Sequence, residues 1–246
     1  MKKRILAVAV AGLMAMSLAA CGGNSGSGSS EADKTTAAAA DSSQADASKT
    51  DGAGGKKINV IAKGFQHQFW KAVEKGAMQA GSELGAEVTF QGPDNESAIA
   101  QQIEYLDAAI AQKPAAICFA ALDTQASLGS IQTAMDAGIP IIGFDSGVPD
   151  APEGAIKANA STNNLEAGKL AADETYKLIK DKIDSASGTV RIGVVAQESN
   201  SQSIVERTKG FVEEMKKNIG EDKVSVEGHD SLKAEKAGAP VVIDVG

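Results

Sequence analysis

The chain has 246 residues, with 32 acidic against 24 basic side chains, a formal net charge of −8 and a pI near 4.9. This acidic balance argues against nucleic acid as a partner, since such binding needs clustered Lys and Arg. Of two cysteines, Cys21 falls in an N-terminal leader, so Cys118 has no intramolecular disulfide partner in the fold.

Met1-Lys2-Lys3-Arg4 is a basic cap, Ile5 to Met16 an apolar run, and Leu18-Ala19-Ala20-Cys21 a small-residue close. These are the parts of a secretory signal in order, and the apolar run is too short to read as a membrane span. Leu-Ala-Ala-Cys resembles the signal of a bacterial lipoprotein, which implies that Cys21 is lipidated and becomes the mature N-terminus. An ordinary signal peptide with a chance cysteine is the plainer alternative. Residues 22–56 contain no large apolar side chain, so they cannot bury enough surface to fold and are expected to be a disordered tether. An O-modified stalk or a partner-binding tail stays open for the same stretch.

From Lys57 onward, strand and helix patterns alternate. Ile58, Val60 and Ile61 form a β-branched run; Phe69, Val73, Ala77, Ala80 and Leu84 recur at helical spacing, with Gly85 placed to end the helix. Ala86–Phe90 reads as a second strand with Gly92-Pro93-Asp94-Asn95 as its exit. Ile99, Ile103, Leu106 and Ile110 mark a helix stopped before Pro114. Ala115–Phe119 reads as a doubly covered strand, with Cys118 a small buried apolar residue within it. Leu128, Ile131 and Met135 mark the third helix, closed by Gly138, and Ile139–Phe144 the fourth strand, ended by Asp145. Four strands alternating with three helices imply a parallel sheet, whose exits all meet at one edge. The rhythm restarts at Ala155–Ala160, followed by a helix capped by Thr162 or Asn163 that buries Leu165, Leu170, Leu178 and Ile179. Val190–Ala196 reads as a strand, Ile204, Phe211, Val212 and Met215 as a helix, and Val224–Val226 as a strand; Val241–Gly246 reads as an apolar run leading nowhere. The expected domains are 1–21 (signal), 22–56 (tether), 57–157 (an N-terminal α/β lobe) and 158–246 (a partial C-terminal α/β lobe).

Aromatic residues make up 4% of the chain, yet Phe65, Phe69 and its one Trp, Trp70, stand together beside His67, where the first strand turns into the first helix. Ligands of open α/β sheets bind at such exits. Phe69 shares the face of Val73 and Ala77 and has a packing reading, whereas Trp70 lies off that face and suits a wet pocket. Asp145 has a turn-capping alternative, and Asp123 and Asn95 read as helix caps. Arg207 is either structural or presented to solvent, and His229 reads as a surface residue without metal-ligand neighbours. Glu198 has no evident partner. No GxSxG, GxxxxGK[ST] or GxGxxG pattern occurs, so catalysis has little support, and neither cofactor nor metal is expected.

Four spaced motifs, with the secretion signal and tether, resemble the ribose-binding type of substrate-binding lipoprotein in ABC sugar importers. They are Gln68-Phe69-Trp70 with Gly76-Ala77, Gly138 to Asp145, Asn163 to Lys169, and Glu206-Arg207-Thr208-Lys209-Gly210-Phe211. The resemblance covers Lys57 to the end. It implies a fold of two doubly wound parallel-sheet lobes, the periplasmic binding protein type 1 fold, with the second lobe incomplete. It also implies a monomer outside the cytoplasmic membrane, anchored through Cys21, that delivers a sugar or polyol to an ABC permease. Carried over by position, His67, Phe69, Trp70 and Asp145 match ligand contacts of the family, and Gln66 and Ser146 flank them. A rigid ring packs on the C–H face of a sugar, and a carboxylate can accept from two neighbouring hydroxyls.

The chain departs from the ribose-type pattern where Ser146 and Val205 replace two Arg positions, which leaves the particular sugar or polyol open. Family members also continue through further strand–helix units that supply an Asn and an Asp, so a truncated reading frame or a fragment is expected. A partial lobe of that kind would expose a sheet edge and apolar surface. A module of this fold feeding a membrane receptor, and less so a secreted α/β hydrolase, are the alternative functions.

Overall fold

A computed structural model describes residues 55–246. The signal, Cys21 and nearly all of the tether lie outside the described residues. Five strands, β1 (Lys57–Ile61), β2 (Glu87–Gln91), β3 (Ala116–Phe119), β4 (Ile141–Phe144) and β5 (Ile156–Ala160), form one wholly parallel sheet in the order β2-β1-β3-β4-β5. Helices α1 (Gln68–Leu84), α2 (Ile99–Ala111) and α3 (Leu128–Asp136) make the crossovers. The apolar runs behave as their lengths dictate: Ile61, Leu106, Ile117, Phe119, Ile131 and Ile141 pack into one core of this first lobe. Gly85 ends α1 in the left-handed region at φ 69°, which an L side chain adopts only with strain.

β5 pairs with β4, with a register shift at Ile141/Ile142. The first sheet therefore runs to Ala160, three residues past the expected lobe boundary at 157. After the link Ser161–Asn163 come α4 (Asn164–Asp184), β6 (Val190–Val194), α5 (Gln202–Ile219), a short 3-10 turn (Glu221–Lys223), β7 (Val224–Glu227) and β8 (Val241–Val245). Asn163 caps α4 as expected, its Oδ1 accepting from the Glu166 N–H at 3.2 Å.

The apolar run at residues 241–246 does lead somewhere. It is the central strand of a second parallel sheet, ordered β6-β8-β7, and Val241, Ile243 and Val245 pack with Val212, Met215, Val224 and Val226. A strand buried on both faces has to be apolar nearly throughout, and this one is.

The expected buried face of α4 is corrected. Leu170 and Leu178 are exposed, as is Val195 just past the edge strand β6. Instead α4 buries Asn164, Gly168 and Ala172, and it does so because α5 crosses it closely. A Cβ at Gly168 would overlap the carbonyl oxygen of Arg207, and one at Gly210 would overlap that of Leu165. Two glycines thus set the spacing of the two helices. Gly210→Ala is expected to destabilise this lobe by about 1–3 kcal/mol through overpacking against rigid backbone, measured as a lower urea midpoint at unchanged slope.

Candidate functional site

The 2-1-3-4-5 strand order reverses direction between β1 and β3, so the loops leaving these strands diverge and open a crevice. A buried amide bridges the strand exits at its base. Gln102 of α2 donates to the carbonyls of Ala62 at 2.8 Å and Ala120 at 2.9 Å, and accepts from the Leu122 N–H at 2.9 Å. It satisfies backbone groups that the sheet leaves unpaired where the strands end, as buried polar groups require.

Gln66, His67 and Trp70 line a cleft of about 190 Å³ at this edge, with Asp94, Asn95 and Glu96 opposite and Gln197 contributed by the second lobe. The volume is well under the ~300 Å³ at which drug-sized sites begin, and suits a small solute. Larger depressions of about 260 and 320 Å³ lie on the second lobe, around α5 and the end of β6; the larger is lined mostly by apolar side chains and lacks convergent carboxylates.

His67 is the N-cap of α1, its Nδ1 accepting from the Phe69 N–H at 3.2 Å. The two neighbouring aromatics exchange the roles expected of them. Trp70 is only 2% exposed and packs with Ala62, Ala120, Val73, Phe90 and Phe144, its indole N–H donating to Glu96 Oε1 at 2.8 Å. Phe69 is 48% exposed, meets the Trp70 ring edge-on at 4.8 Å and does not line the cleft.

Asp145 ends β4 in the left-handed region at φ 56°, while its N–H still donates to the Ala160 carbonyl at 3.0 Å. Burial pushes its carboxyl above the ordinary carboxylate range; the Lys63 ammonium opposes this and the Glu96 carboxylate adds to it. Ser146 is buried and accepts from the Ser203 N–H of the second lobe at 3.3 Å.

Sequence reasoning passed over the residue that joins these parts. Lys63, at the exit of β1, is buried, and its ammonium lies 3.9 Å from Glu96, 3.9 Å from Asp145 and 3.6 Å from Glu198. It donates to Ser201 Oγ at 3.1 Å. Glu198, without an evident partner in the sequence, thus has Lys63, and it also accepts the N–H groups of Asn200 at 2.7 Å and Ser201 at 2.8 Å. The one signal available was a lysine standing directly after an apolar strand. Arg207 combines both readings: the residue is exposed, and its guanidinium donates to Asn164 Oδ1 at 2.5 Å, tying α5 to the start of α4. Asp123 and Asn95 cap the turns of their own loops.

Carboxylates, amides and an indole wall around a small cleft can accept hydroxyl protons and pack against apolar faces of a solute. Among the described residues no group of three or more His, Cys, Asp or Glu could hold a metal ion, and no helix is long and apolar enough to cross a membrane.

Three comparisons bear on this geometry. The D-apiose import binding protein of Actinobacillus succinogenes is 24% identical over 156 residues, which are 63% of this chain and 47% of that protein. A solved structure described as an ABC transporter, LacI family transcriptional regulator from Brachyspira murdochii is 34% identical, with TM-score 0.60 over 78% of this chain and 56% of that one. An ABC transporter solute binding protein from Agrobacterium vitis, solved with bound D-fucose, is 29% identical, with TM-score 0.61 over 76% and 56%. The chain thus spans about half the length of these relatives. The model of the periplasmic binding protein domain matches residues 58–242, and with this strand order and crevice the chain belongs to that family.

Proposed function

We propose that this chain belongs to an extracytoplasmic solute-binding protein that captures a sugar or related small polyol between its lobes and delivers it to an ABC permease, held at the membrane by lipidated Cys21. Binding rather than catalysis is its task. The observation that carries this reading is the cleft at the strand exits, where carboxylates and amides face the indole of Trp70 and the second lobe supplies Gln197. The family match supports it, as do relatives named for D-apiose import or solved with D-fucose and α-D-tagatopyranose. Gln66 and His67 would meet the solute directly, with Trp70 as the buried backing of the cleft wall. Asp145 and Ser146, which do not line the cleft itself, would act through the neighbouring Lys63 and Ser203 contacts. Phe69 would offer its open ring at the α1 start.

A ligand that binds only the folded state stabilises it by about 2.7 kcal/mol at one hundred times its Kd. Thermal melts of the full chain with D-apiose, D-fucose, D-arabinose and D-tagatose are therefore expected to rise by several degrees for at least one of them. The absence of any shift across a wider panel of neutral sugars and polyols would sink the sugar reading.

A further inference from the structure

Among the described residues one short link, Ser161–Asn163, joins the two sheets covalently. Among the same residues the other ties between the lobes are non-covalent, and several are neutral. The Gly147 N–H donates to Gln202 Oε1 at 3.0 Å, and the Ser203 N–H to Ser146 Oγ at 3.3 Å. Such neutral bonds contribute little net, because water replaces them when the lobes part.

Lys63 differs in kind. It starts in the first lobe, is 3% exposed, and has ligands from both lobes: Glu96 and Asp145 from its own, Glu198 and Ser201 from the other. A buried ammonium is tolerated only where carboxylates and hydroxyls compensate its lost hydration. Here that compensation is complete only with both lobes in place. Without the cation, the Glu198 carboxylate would face Glu96 and Asp145 with only the weaker influence of the Arg207 guanidinium on Asp145 to offset their repulsion.

We infer that Lys63 is the strut that holds the lobes in this arrangement, a positioning residue that works by pairing with Glu198 across the lobes. The inference concerns the empty protein and can fail or hold separately from the sugar reading.

The test is small-angle X-ray scattering of the full chain without added sugar, comparing the parent with Lys63→Met, Lys63→Arg, Glu198→Gln and the Lys63→Met/Glu198→Gln double variant. Methionine keeps the apolar stem and removes the charge; glutamine keeps an oxygen for the Asn200 and Ser201 N–H groups. The expected result is a larger radius of gyration for Lys63→Met and for Glu198→Gln, with far-UV circular dichroism unchanged. The double variant should be no larger than either single one, and Lys63→Arg should stay near the parent value. An unchanged radius in Glu198→Gln, or expansions that add in the double variant, overturns the inference. Should Lys63→Met fail to fold, Glu198→Gln and Lys63→Arg still decide it.

Discussion

Replacing Trp70 by Ala is expected to cost about 3–5 kcal/mol of stability, the range for removing a large aromatic from a packed interior. The indole fills the space between α1 and the exits of β1 and β3, touching Ala62 and Ala120, and stands edge-on to Phe144 at 6.4 Å. Its loss would open a cavity and leave Glu96 without the donor that holds it at 2.8 Å. Gly64 belongs to the same arrangement, since a Cβ there would press on the indole at 3.3 Å. Trp70→Phe should fall between the two, keeping apolar area while losing the hydrogen bond. Because the chain has one tryptophan, urea unfolding has to be followed by far-UV circular dichroism. An unchanged midpoint for Trp70→Ala would return the ring to a role in the cleft alone.

Asp145→Asn is expected to separate stability from binding. The carboxyl is raised above its ordinary range mainly by burial, so the folded state holds the proton more tightly than the unfolded chain. Stability is then highest with Asp145 protonated and falls as pH rises from the unfolded value through the raised folded one. Asparagine removes that titration and tolerates the left-handed backbone at φ 56°. The variant should therefore show a flatter pH profile. At pH 7 the relief of a buried carboxylate is set against one partner fewer for the Lys63 ammonium, so its midpoint should stay near the parent's. If Asp145 accepts ligand hydroxyls, affinity should fall roughly 10- to 100-fold, matching about 1.5–3 kcal/mol for a hydrogen bond to a charged group. Melts across a pH series and calorimetry with a sugar that stabilises the parent check both parts. A destabilised variant with unchanged affinity would make Asp145 a structural residue.

The elements were legible where the physics is local. A β-branched run gave β1, apolar runs gave β3 and β4, glycine after a periodic segment gave the end of α1, and Asn163 gave the start of α4. Face assignments failed where two registers satisfy the same period. Phe69, Val73 and Ala77 are spaced for a helix, but so are Trp70, Val73, Ala77 and Gly81, and the buried positions of α1 follow the second series. Tertiary surroundings decide between them: the space beside Gly64 and the carboxylate of Glu96 draw in the indole. On α4, periodicity located Leu170 and Leu178 without revealing that none of the described elements covers them. Lys63 was hidden for a further reason. Its hydroxyl partners lie 138 and 140 positions away in the chain, and nothing near position 63 foretells a second lobe closing over it.

The central position of β8 also bears on the order in which the molecule can form. β6 and β7 are both hydrogen-bonded to β8 and not to one another. During synthesis the five described strands of the first sheet are all available once Ala160 has left the ribosome, and can pair while the rest is being made. The second cannot assemble until residues 241–245 have emerged, and both of its pairings then span a chain interval that has to be closed at once. For that interval β6 and β7 wait as unpaired strands, and α4 and α5, packed across their two glycines, are the part of the lobe able to form first.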